Sequence, residues 1–175
     1  MPQSPLRFLH ADQLNLDVPF EGISTLTPET VTELSTASLK LLDQLLEYVT
    51  EESVPFVLLT GSLFGADPPS LAAQSALKNF AGELYELGVE LLLTPHPLER
   101  KLLPRDFWED LDAILLDKDQ PIILELESTN SNSDAHLQVE IRLTCEADLD
   151  NFARQPAANI DFSICVLEAI SPFVG

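Results

Sequence analysis

Positive charge is what this chain of 175 residues has least of: 9 Lys and Arg stand against 29 Asp and Glu, a formal net charge of −20. Non-specific nucleic-acid binding draws most of its strength from Lys and Arg displacing condensed counterions, so direct nucleic-acid binding through this chain is not expected. Cysteine is scarce too. Two residues, Cys145 and Cys165, cannot make a disulfide framework, and their apolar, strand-like surroundings predict buried free thiols. No long hydrophobic run occurs: the most apolar stretch, residues 54–66, is interrupted by Thr60, Gly61 and Ser62 and is too short to span a bilayer. The first nine residues have no apolar core of the signal-peptide kind, so a cytoplasmic, membrane-free protein is expected. There is no P-loop, dinucleotide fingerprint or CxxC pair.

What is present is a chain of ordinary globular composition, 45% hydrophobic and 22% charged, with the length of one domain spanning residues 1–175. Residues 7–10 read as a short first strand. Thr27 is placed to cap a helix, with Pro28 at its first position and Glu29 in its first turn. Val31, Leu34, Leu41, Leu42, Leu45, Leu46 and Val49 recur at helical spacing, and Pro55 ends the pattern. Residues 56–60 (FVLLT) read as a strand covered on both faces. Ser70 caps a second helix with a buried stripe of Ala73, Leu77, Phe80, Ala81, Leu84 and Leu87, closed by Gly88; residues 89–93 form a third strand. This order, strand–helix–strand–helix–strand, predicts a largely parallel sheet. Its functional residues should follow the strand ends, after His10, Thr60 and Leu93.

The second half is less regular. A short helix carrying Trp108 is expected over 104–112 and a strand over 122–126. A polar loop follows at 128–134 (STNSNSD), and then a half-exposed strand over 137–145, where Leu137, Val139, Ile141 and Leu143 alternate with polar residues. A short helix over 146–154 and a last strand over 160–167 complete the reading.

Three blocks carry a resemblance: FLHADQLNLDVPFEGI (8–23), FVLLTGSLFGADPPS (56–70) and LGVELLLTPHP (87–97), with a weaker echo at NIDFSICVLEA (159–169). They resemble the SbcD/YhaO-type metallophosphoesterases, DNA-repair exonuclease relatives of the calcineurin-like phosphoesterase superfamily. In that family the corresponding segments read FIHAADLHLDSPF, a strand then GDLFD, a strand then GNHDP, and FDYIALGHIH. The resemblance implies an α/β fold, a metallophosphoesterase-like αββα sandwich, here truncated relative to longer active members. It also implies two manganese ions held by Asp, His and Asn side chains. For partners, it implies a homodimer and an ATPase of the coiled-coil, SMC-like kind.

The chemistry departs from that pattern. The aspartate and histidine of DLH fall on Gln13 and Asn15, and the bridging aspartate of GDLFD falls on Ser62, its second aspartate on Gly65. The asparagine of GNHD falls on Pro95 and its last aspartate on Pro97, leaving His96 as the one retained side chain. The later histidines fall near Cys145 and on Leu167 and Ala169. Divalent cations of this type need anionic oxygens or imidazoles converging at about 2.0–2.6 Å, which these residues do not supply. Asp12 and Asp17 flank Gln13 and could rescue a metal only by a register shift. His10 reads as structural, His96 as a relic without a base partner, and His136 as surface. Ser62 lacks nucleophile-elbow spacing, and the acidic residues read as solvated surface.

No catalytic residue, cofactor or metal is therefore expected, and the positions above describe a vestigial cleft. The expected function is a pseudo-phosphoesterase acting as a scaffold or interaction subunit with a protein partner. The competing readings are an active metal-dependent phosphoesterase or exonuclease with an atypical site, and a small-molecule binding module using the strand-end cleft.

Overall fold

The computed structural model describes residues 6–18, 27–65, 68–118, 120–127, 136–144 and 160–167. The chain divides into two compact units, one over Phe8–Ile114 and the other formed mainly from Leu115 onward.

In the first unit, β1 (Leu9–Asp12) is followed by α1 (Pro28–Glu52), β2 (Phe56–Gly61), α2 (Leu71–Glu86) and β3 (Glu90–Pro95). Two short helices, α3 (Pro97–Leu102) and α4 (Arg105–Glu109), then lead to β4 (Ile114–Leu115). The sheet order is β1-β2-β3-β4. β1 pairs with β2 in parallel, Leu9 opposite Val57 and Asp12 opposite Thr60, and β2 pairs with β3 in parallel from Phe56–Glu90 to Gly61–Pro95. The parallel adjacency expected of the first three strands is therefore present. α1 and α2 pack against each other.

Local chemistry explains both long helices. Thr27 caps α1 by accepting from the Thr30 amide, Pro28 opens it, and Ser53 closes it in a left-handed conformation. The Glu29 carboxyl is held below its usual range by a backbone hydrogen bond and by the Thr27 side chain. On α2, Ser70 Oγ accepts from the Ala73 amide, and Gly88 turns the chain out at φ +72°. The buried stripe is Ala73, Leu77, Phe80, Ala81 and Leu84. Leu87 does not belong to it, contrary to the periodicity: it is the C-cap and is half exposed, because the helix ends one residue earlier.

The core is the run Phe56–Thr60 with Leu91–Leu93, all buried, and the Phe8 ring stacks on Phe56 at 4.8 Å between centroids. Beside α4, Phe107 meets Phe64 and Trp108 edge-on, and Lys78 Nζ lies over its ring. Trp108 Nε1 is buried with no hydrogen-bond partner among the described residues.

Gly82 sits inside α2 with a helical backbone, and a Cβ there would meet nothing within 4 Å. Glycine in a helix interior costs about 1 kcal/mol relative to alanine, so Gly82→Ala should stabilise the unit by about that amount. A rise in the urea midpoint at constant slope is the expected measurement.

The second unit holds a mixed sheet, β5 (Ile122–Glu127), β6 (His136–Thr144) and β7 (Phe162–Leu167), in the order β5-β6-β7. β5 and β6 are antiparallel; β6 and β7 are parallel. The half-exposed alternation expected of β6 is only partly present, because a central strand is covered from both sides: Val139, Glu140 and Ile141 are all buried. Glu140 is satisfied by Arg142, two residues along the same face, and by Ser163 directly across on β7. Cys165 is a free thiol but half-buried rather than buried, since β7 is only partly covered; partial burial still pushes its pKa up. The polar loop over 128–134, the helix over 146–154, Cys145 and Ala169 lie outside the described residues.

Candidate functional site

Open parallel sheets bind ligands beyond the carboxyl ends of their strands, where β1, β2 and β3 deliver Gln13, Ser62 and His96. Over their described residues the loops after β1 and β2 run together. They continue pairing past the sheet: the amides of Gln13, Asn15, Leu16 and Asp17 donate to the carbonyls of Thr60, Ser62, Leu63 and Phe64 at 2.9–3.2 Å. Leu14, Leu16, Leu63 and Phe64 are buried in consequence.

Keeping this register requires left-handed backbone on both sides. Gln13 (φ 54°) and Asn15 (φ 49°) face Gly61 (φ 73°) and Gly65 (φ 72°). The approach is close: a Cβ on Gly61 would stand 2.7 Å from Asp12 Oδ1, and one on Gly65 would be 2.7 Å from Asn15 Oδ1 and overlap Val18 Cγ2.

The carboxylates that could have rescued a metal are used inside the fold. Thr60 donates its hydroxyl to Asp12 Oδ1 at 2.7 Å and stands 2.9 Å from His10 Nε2. A hydroxyl has one proton, so with Asp12 taking it the His10 ring donates to Thr60. The His10 ring is thus engaged inside the fold. Asp17 accepts from the Ser70 amide and hydroxyl and fixes the start of α2.

His96 is the N-cap of α3. Its amide donates to the Gly61 carbonyl at 3.1 Å, and its Nδ1 accepts from the Leu98 amide at 3.3 Å. Pro95 is the last residue of β3, opposite Gly61. Leu167 belongs to β7 in the other unit and is half exposed. His136 is exposed at the start of β6.

One residue escaped the sequence reading. Glu99, in the first turn of α3, is only 4% exposed and turns its carboxylate into the loop after β2. Its Oε1 accepts from Ser62 Oγ (3.0 Å) and from the amides of Phe64 (2.8 Å) and Gly65 (3.1 Å), and its Oε2 from the Leu63 amide (3.0 Å). Four donors thus converge on one carboxylate, each charge-assisted. Pro97 at the helix start with Glu99 two residues on is a helix-opening pattern that could have revealed α3. Nothing local says that Glu99 points inward.

This donor set does not fit a pair of manganese ions. Gln13 and Ser62 are neutral, Asp12, Asp17 and Glu99 are hydrogen-bonded within the fold, and among the described residues no three His, Cys, Asp or Glu side chains group closely enough to hold a metal.

The first unit is a largely parallel α/β sheet, and half of the chain is similar in sequence to a metallophosphoesterase. The chain is 35% identical over 86 residues, 49% of its length, to the uncharacterized metallophosphoesterase YhaO of Bacillus subtilis (strain 168). It spans about a fifth (21%) of that relative's length. Among solved structures, the Pseudomonas putida nuclease MPE aligns over 89% of this chain and 57% of its own, at 12% identity and a TM-score of 0.37. No protein-family description matches the chain. Among the described residues no helix is long and apolar enough to cross a membrane.

Proposed function

We propose that this chain is a non-catalytic relative of the metallophosphoesterases, serving as a scaffold or interaction subunit. The observation that carries the reading is the internal use of the strand-end groups. Ser62 is turned to Glu99, Asp12 to Thr60, Asp17 to Ser70, and His96 caps its own helix. A two-metal hydrolase needs those ends open, with carboxylates bridging the cations. The resemblance supplies the partner class: a second copy of the chain, or an ATPase of the coiled-coil, SMC-like kind, in the cytoplasm. The charge of −20 argues against DNA as a direct ligand.

Calorimetric titration with Mn²⁺ in about 0.15 M salt, where diffuse attraction is screened beyond about 8 Å, is expected to give no saturable site tighter than millimolar. Gln13→Asp alone is expected to give no manganese-dependent phosphodiesterase turnover above wild type, because catalytic groups that act as a unit are not additive. A micromolar Mn²⁺ site lost in Asp12→Ala or His96→Ala overturns the reading.

A further inference from the structure

Side by side, α1 and α2 leave an open groove of about 300 Å³ on their outer surface. Its floor is apolar: Leu39, Leu42, Leu46, Ala76 and Phe80. Leu42 and Phe80 are buried core residues seen from outside, while Leu39, Leu46 and Ala76 remain partly open to solvent. The rim is polar and carries more acid than base. Asp43 and Glu83 line it, and Glu33, Glu47 and Glu86 stand exposed on the same two helices. Lys40 is the basic residue at the groove; the other lysine of the pair, Lys78, faces away and is held by Asp110 and the Phe107 ring.

An apolar floor between parallel helices with an acidic rim selects its occupant by shape and by charge. The shape suits one more helix, laying side chains spaced i, i+3, i+4 and i+7 along the floor. The charge selects a basic one. A second copy of this chain, itself carrying −20, would bring like charge to like charge and is disfavoured at this face.

We propose that the α1–α2 groove is the docking site for a basic amphipathic helix of a partner protein. This rests on the interaction-subunit reading and names the partner's chemistry. Apolar contact along the floor supplies affinity, and the Lys and Arg of the partner meeting Asp43 and Glu83 fix register and raise the association rate.

The test uses the whole chain and a synthetic helix of Leu and Lys, about 16 residues or roughly four turns, with one apolar stripe. A scrambled peptide of the same composition lacks the stripe. In fluorescence anisotropy at about 0.15 M salt, Asp43→Lys/Glu83→Lys is expected to weaken binding about tenfold or more, a loss of about 1.4 kcal/mol. The charge-matched control Glu90→Lys/Asp106→Lys should leave affinity within about twofold, well under that 1.4 kcal/mol. Amide shifts should map to 36–46 and 76–83. Equal binding of the scrambled peptide, equal loss in both double variants, or shifts elsewhere overturns the groove assignment. So does a dimer, seen by sedimentation, that Asp43→Lys/Glu83→Lys abolishes. None of these results bears on the non-catalytic reading, which stands or falls on manganese binding and turnover.

Discussion

Glu99→Ala is expected to lower the stability of the first unit by about 4 kcal/mol, the largest effect of any single side-chain truncation considered. The substitution removes one acceptor and leaves four donors behind. Hydrogen bonds to a charged group are worth about 1.5–3 kcal/mol each, and a buried donor left without a partner costs about 1–3 kcal/mol. Full additivity would exceed this figure; partial relaxation of the loop and entry of water to the freed amides bring it down. The loss should fall on Leu63, Phe64 and Gly65, whose amides surround the carboxylate, and on α3, which the carboxylate ties to the loop. Ser62→Ala removes one of the four bonds, a part-buried one, and should cost about 1.5 kcal/mol, the lower end of the range for a bond to a charged group. Urea unfolding followed by circular dichroism separates the two. Equal midpoints for Ser62→Ala and Glu99→Ala would show that the carboxylate does not anchor the loop.

The contrast between Glu99 and the flanking elements explains what the sequence made readable. Thr27–Pro28, Ser70 and the apolar run 56–60 act on their immediate neighbours, so α1, α2 and β2 could be placed from local pattern alone, and β1–β2–β3 pairing followed from their alternation with helices. Which residues align with the ligand positions of the resemblance, Gln13, Asn15 and Ser62 among them, can be named from the sequence, because a residue type is visible in one dimension. The tertiary partners of those positions cannot. Glu99 and Ser62 are 37 residues apart in sequence, and Glu140 is buried because β6 is flanked on both sides. An acidic residue at a helix start or in an alternating strand reads as solvated unless its donors are known, and those donors arrive only through tertiary pairing. The zip between residues 13–17 and 60–64 was hidden for the same reason, although the glycines at 61 and 65 marked where two backbones would meet.

That zip sets the second large effect. Gly65→Asp reinstates an aspartate where the metallophosphoesterase resemblance places one, and it is expected to destabilise the unit by about 2–3 kcal/mol rather than begin a metal site. Left-handed backbone costs a non-glycine residue about 1–2 kcal/mol, and Gly65 sits at φ +72°. The new Cβ also enters space held by Val18 Cγ2 and stands 2.7 Å from Asn15 Oδ1, and overpacking of this kind adds about 1 kcal/mol or more. Val18 is 41% exposed and can turn aside, which keeps the steric part at the lower end. Asn15 is less free, because its amide is paired to the Ser62 carbonyl and its own φ is already positive. Gly65→Ala carries the same backbone and Cβ costs without a carboxylate, so the two variants should unfold at nearly the same urea concentration. Millimolar Mn²⁺ should raise neither. A manganese-dependent gain in Gly65→Asp that Gly65→Ala lacks would mean that the strand-end loops still open far enough to gather ligands, and the closed, hydrogen-bonded arrangement around Asn15 and Ser62 would then be one state of a site that can be rebuilt.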